Sequence, residues 1–227
     1  MKKMLYILLA AALLCALLAG CGAKTEAPAA ETPAAVGGWT MPEELAVTEE
    51  TRAIFEKGAE QLVGVNYKPL ALLGTQLVNG TNRAYFCSAR VVYPDAKPFF
   101  ALVHVYEALD GATEILNIQA ITPDGRIDEN AGAAGDAVGS WTVPEEAEAD
   151  EAVAALIAAA EKQSDLALTP IVPMGRQLVS GTNYCLLCRA EPASGEAPYF
   201  CFVQVYRDLQ GSAEIQSVTV LDTALPQ

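Results

Sequence analysis

The sequence predicts an α+β protein built as two tandem copies of one small domain. Each copy is expected to be one helix packed on a four- to five-stranded antiparallel sheet. Three observations carry this expectation. Residues 67–88 align onto residues 168–189 with nine of twenty-two positions identical, including Gln76-Leu77-Val78-Asn79-Gly80-Thr81-Asn82 against Gln177-Leu178-Val179-Ser180-Gly181-Thr182-Asn183. An amphipathic helical stripe precedes each block, and glycine-punctuated extended runs follow it. A period this long, present twice, argues for tandem domains and against a solenoid. The copies span residues 37–121 and 139–227, joined by a linker at 122–138 rich in Gly, Ala and Asp.

The helices come first. Within residues 48–63, Ile54, Phe55, Ala59, Leu62 and Val63 fall near one face. Within 150–163, Val153, Leu156, Ile157 and Ala160 do the same, with Asp150 placed as an N-cap. A long extended run follows at 67–78 and 168–179. Pro69 and Pro170 sit near its start, and Gly74 and Gly175 inside it mark a bulge or bend. Asn79-Gly80 and Ser180-Gly181 then signal a two-residue hairpin loop. Returning strands are expected at 81–92 and 182–191. Third strands at 99–106 and 199–206 alternate, and glycine turns at Gly111 and Gly211 lead to last strands at 113–121 and 213–221.

The amino terminus is of another kind. Lys2 and Lys3 precede fifteen apolar residues, 4–18, a stretch short for a transmembrane helix. Residues 1–20 therefore read as a signal peptide. The ending Leu18-Ala19-Gly20-Cys21 resembles a bacterial lipoprotein box. That resemblance implies lipidation of Cys21 and anchorage to the cell-envelope membrane, outside the cytoplasm. Residues 21–36, a run of Ala, Pro, Glu and Thr, are too poor in large apolar side chains to fold and read as a disordered tether.

Charge narrows the partners. The signal peptide removes two lysines and no acid, leaving 12 Lys and Arg against 28 Asp and Glu, a formal −16. No basic patch tracks a phosphate backbone, so nucleic acid is not expected as a partner. Cys87, Cys185, Cys188 and Cys201 lie on expected strands. Cys185 and Cys188, three apart, point to opposite faces there, and buried free cysteine is a common small core residue.

The hairpin motif resembles that of the cystatins, protein inhibitors of papain-like cysteine proteases. Gln, any residue, Val, any residue, Gly stands here as Gln76-Leu77-Val78-Asn79-Gly80 and as Gln177-Leu178-Val179-Ser180-Gly181. Thr182-Asn183-Tyr184 continues the second in the family's manner. Gly37-Gly38-Trp39 resembles the family's glycine-bearing N-terminal trunk, with Gly139-Ser140-Trp141 a weaker counterpart. The resemblance implies a cystatin-like fold for both copies and a steric mechanism, in which trunk and hairpins wedge into a protease cleft. Where the family has Pro-Trp in a second hairpin, this chain has Leu109 and Leu209. The disulfide partner that the family would imply for Cys201 near the C-terminus is missing, and Cys188 is placed roughly opposite Cys201 instead.

Two further readings stand beside inhibition. One is a non-inhibitory lipoprotein that binds another protein or a peptide. The other is an enzyme, which the residues disfavour. His104 is the single histidine and is placed as a surface side chain, and the second copy has Gln204 in its position. No carboxylate pair, phosphate loop or ligand cluster stands out, so neither a cofactor nor a metal is expected.

Overall fold

Unbroken apolar runs dominate the strands. Residues 71–74, 84–87 and 99–105 are buried consecutively, not alternately. A strand buried at every position has both faces covered. The computed structural model describes residues 37–133, 140–144, 151–162 and 165–226. Cys21, the tether, Gly139 and Asp150 lie outside the described residues.

In chain order the elements are β1 (Trp39–Thr40), α1 (Glu49–Ala59), β2 (Val65–Val78), β3 (Gly80–Val91), β4 (Pro98–Glu107) and β5 (Thr113–Ile121). A 3-10 turn (Ala131–Ala133) precedes α2 (Glu151–Glu161), β6 (Leu166–Val179), β7 (Gly181–Pro192), β8 (Tyr199–Arg207) and β9 (Ala213–Val220). The first sheet has the order β1-β2-β3-β4-β5 and the second β6-β7-β8-β9, antiparallel throughout.

The expected class, tandem α+β domains with a cystatin-like fold, is overturned. The described residues are mostly β, two antiparallel sheets with only two α-helices, of 11 residues each, among them. Beside a helix-covered core of its own, each sheet also shares a core with the other. Ala71, Leu73, Phe86, Phe100 and Leu102 of the first sheet form one buried cluster with Val172, Met174, Leu187 and Phe202 of the second. The physical reason is visible in the third strands. Both alternating sets of residues 99–106 are largely apolar, so neither face tolerates water and the inner face needs a second sheet. The described residues belong to one compact unit.

The two sheets clasp each other reciprocally. After β5 the chain turns, with Thr122 N–H donating to the Arg126 carbonyl at 2.8 Å. Gln204 Nε2 donates to the Asp124 carbonyl at 2.9 Å, and Gly125 lies against Phe202, where a Cβ would stand 2.8 Å from the Phe202 Cβ. After β9 the chain returns the contact: His104 Nε2 lies 2.9 Å from the Thr223 carbonyl. His104 and Gln204 occupy equivalent positions, so the two contacts are reciprocal, in the manner of an isologous interface. Each continuation leaves its sheet at the end remote from the motif hairpin and reaches the hairpin-proximal half of the other sheet. The two hairpin ends therefore point away from one another.

His104 is not the surface residue that its strand position implied. It is fully buried, with its ring edge-on to Trp39 at 5.4 Å. Burial depresses its pKa, partly offset by the Thr223 carbonyl and the Asp222 charge.

The helices cover the outer faces. Thr48 caps α1, its side chain accepting from the Thr51 N–H, and Glu49 and Glu50 complement the helix dipole. Phe55 packs edge-on to Tyr85 at 5.2 Å, and Tyr85 Oη donates to the Thr51 carbonyl at 2.8 Å. Leu156, Ile157 and Ala160 of α2 pack with Leu186, Val203 and Val205. Cys87, Cys185, Cys188 and Cys201 are buried free thiols, and Cys188 stands opposite Cys201.

Candidate functional site: the two hairpin ends

The repeated motif folds the same way twice. Val78 pairs with Gly80 and Val179 with Gly181, leaving only Asn79 or Ser180 between them. The turn is thus one residue tighter than the expected two-residue loop. Gly80 (φ +124°) and Gly181 (φ +129°) have conformations that favour glycine. They also lack room. A Cβ on Gly80 would overlap the Glu107 carbonyl and stand 2.7 Å from the Tyr106 ring, and one on Gly181 would stand 2.5 Å from the Arg207 carbonyl. Tyr106 Oη donates to the Asn79 carbonyl, and Tyr206 Oη to the Ser180 carbonyl. Each tip carbonyl is thereby pinned by a tyrosine from the third strand.

The polar residues of the motif face inward to the same end. Asn82 Nδ2 donates to Gln76 Oε1 at 2.6 Å across the strand pair, and Asn183 Nδ2 donates to Gln177 Oε1 at 2.8 Å. Gln76 Nε2 in turn donates to the Gly37 carbonyl at 2.8 Å, while Gly37 N–H donates to the Leu77 carbonyl at 3.0 Å. So the trunk residues Gly37 and Gly38 lead into β1 along the motif strand, and Trp39 lies over Gly74, where a Cβ would meet its ring at 3.0 Å. Trp141 covers Gly175 in the same manner, and Thr142 bridges to Arg176 as Thr40 pairs with Thr75. Gly74 and Gly175 also border the register shifts of β2 and β6. Gln, Asn, Gly and the covering Trp are accounted for by the fold.

The apolar residues are not. Leu77 is 50% exposed and Leu109 84%, and their counterparts Leu178 and Leu209 are each 78% exposed. Val78 and Val179 are exposed as well. Because Thr81 pairs with Glu107, and Thr182 with Arg207, the turn after β4 and the turn after β8 end beside the motif hairpins. Each sheet therefore presents a pair of adjacent hairpins, tipped with two leucines and a valine. Asp110 accepts from the Ala112 N–H at 3.0 Å and Asp208 from the Ser212 N–H at 2.8 Å, ordering the second hairpins. Lys57 Nζ donates to the Gly111 carbonyl at 2.6 Å and ties α1 to the first of them.

Electrostatics distinguish the two ends. Arg83 and Glu107 form a 2.7 Å pair beside the first tip, where the second has Tyr184 and Arg207. The thiols contribute no nucleophile. Burial pushes Cys201 up to about 11, burial and the Asp124 charge push Cys185 up to about 12, and Cys87 and Cys188 are also raised, which leaves them protonated at neutral pH.

Tyr106 and Tyr206 are the site residues that the sequence reading left out. Their repetition within Val105-Tyr106 and Val205-Tyr206 was the available signal. No protein-family model matches the chain, and no curated protein matches it.

Proposed function

We propose that the protein is an envelope-anchored inhibitor that inserts its hairpin ends into the cleft of a papain-like cysteine protease. The observation that carries this reading is the repeated set of exposed apolar tips on pinned turns. Leu77, Val78 and Leu109 serve in the first copy, with Leu178, Val179 and Leu209 in the second. Side chains this exposed add little to the core, whereas the surrounding hydrogen bonds fix each tip in one conformation. A pre-ordered edge loses little entropy on binding, and each leucine buried in a partner is worth about 1.5–3 kcal/mol. The Gln-x-Val-x-Gly resemblance supplies the protease class, and the lipoprotein box supplies the anchor at Cys21. Such an inhibitor works by occupation and needs no cofactor.

Papain titrated with the mature chain tests this. Inhibition is expected, and Leu178→Asp with Leu209→Asp should weaken the second site by roughly two to four orders of magnitude. Asn79→Arg and Ser180→Arg, which leave Gly80 and Gly181 in place, should weaken inhibition by the first and the second tip respectively, without loss of the folded circular dichroism spectrum. Full papain activity at micromolar wild-type protein would replace inhibition with the second reading, a non-inhibitory protein- or peptide-binding lipoprotein. Membrane attachment is tested separately: Cys21→Ser should release the chain from the membrane fraction.

A further inference from the structure

The end of the first sheet remote from its hairpins carries a cleft that the inhibitor reading does not use. We propose that this cleft binds an anionic amphiphile, a phosphate or carboxylate head group carrying an apolar tail.

Register builds the head-group site. Asn66 stands opposite Arg90, and Lys68 opposite Ser88. Side chains opposite one another, or two apart along a strand, share a face of the sheet. Lys68 and Arg90 are therefore diagonal neighbours with no carboxylate between them. Arg52 of α1 lines the same cleft. Among the described residues, the ion pairs are Arg83–Glu107, Arg126–Asp124 and Arg189–Glu191, and none involves these three cations. Three cations lining one concavity, with no ion pair among the described residues, stand out in a chain of net charge −14.

The second copy shows that the fold does not need them. Thr169, Arg189 and Glu191 occupy the positions of Lys68, Ser88 and Arg90, and Arg189 pairs with its own neighbour Glu191 at 3.2 Å. That end is neutralised internally, and the corresponding end of the first copy is not. Guanidinium and ammonium groups donate charge-assisted hydrogen bonds to phosphate and carboxylate oxygens.

The tail site is the apolar continuation of the same cleft. Leu70 and Phe100 extend from the shared core, and Val143, Pro144 and Ile171 form the facing wall from the second copy. Polar head-group donors at one end and an apolar floor at the other fit an amphiphile better than a bare ion.

Calorimetric titration of the mature chain with dodecyl phosphate and with laurate, each below its micelle concentration, tests the proposal. One saturable site per chain is expected for at least one of them, and the preferred probe identifies the head group. Lys68→Thr with Arg90→Glu installs the residues of the second copy and should weaken binding about tenfold or more, the loss of at least one charge-assisted hydrogen bond. Arg52→Gln, a milder change, should weaken binding in the same direction, with thermal melts confirming that both variants fold. The Leu178→Asp, Leu209→Asp protein should bind as the wild type does. Absence of saturable binding, unchanged affinity in the cleft variants, or equal affinity for inorganic phosphate would each overturn the assignment.

Discussion

The two copies agree where they meet each other and differ where they meet solvent. His104 and Gln204 make the same contact to the opposite copy, each 2.9 Å from a backbone carbonyl that follows the last strand of the other sheet. Trp39 and Trp141 cover Gly74 and Gly175 alike. By contrast, Lys68 and Arg90 have become Thr169 and Glu191, and the ion-paired Arg83 and Glu107 have become Tyr184 and Arg207. The difference teaches which repeated residues are there for the sandwich. The exposed leucines stand apart from both groups, because they are repeated and yet belong to none of the buried core clusters.

The largest effect should come from separating the copies. Either sheet alone would expose the inner face now buried by the other, including Phe86 and Phe100 or Phe202. Residues 37–133 and 140–227, expressed singly, should lack the cooperative melting transition of the whole. Tandem domains that fold independently across the 122–138 linker would show two separate transitions instead. Within the full chain, Phe202→Ala should cost about 3–5 kcal/mol, measured by denaturant unfolding.

Next in size are the tip glycines. Gly80→Ala and Gly181→Ala each combine an unfavourable φ with a clash against a backbone carbonyl, so each should cost about 1–3 kcal/mol. Equal losses would confirm that the two turns are the same device. A loss confined to one copy would break the equivalence.

Much of this was legible in the sequence, and the exceptions have physical causes. Strand positions, hairpin glycines and the first helix follow from periodicity and turn chemistry, which are local, although the helix expected over 48–63 ends at Ala59 and leaves Val63 exposed. The face-to-face packing is not local. Phe100, Leu102 and His104 alternate against Phe99, Ala101 and Val103, and alternation between two buried sets looks like alternation between core and water. His104 shared in that error, since its partner Thr223 lies 119 residues away. In the site, Gln76 and Gly80 stand in the repeated motif, and Leu109 was placed by the resemblance to the family's second hairpin. The clamp by Tyr106 was not, because it joins two strands that the motif does not span.

The smallest effect is a pH dependence. Burial holds the His104 pKa below its ordinary value near 6.5. Stability is therefore fully present above that value. It declines as pH falls through 6.5 toward the folded-state pKa, because the unfolded chain takes up the proton first. His104→Gln copies the second half of the molecule and should flatten this decline while keeping the contact to Thr223. An unchanged slope between pH 7 and 5 would show that other groups set it.

The central claim is that each sheet offers one competent, outward-pointing hairpin end. Active-site-titrated papain, mixed in increasing ratio with the mature chain under tight-binding conditions, measures this directly. The account predicts an equivalence point of two protease molecules per chain, falling to one when Leu178 and Leu209 are both changed to aspartate. Papain that keeps its full activity at every ratio would contradict it.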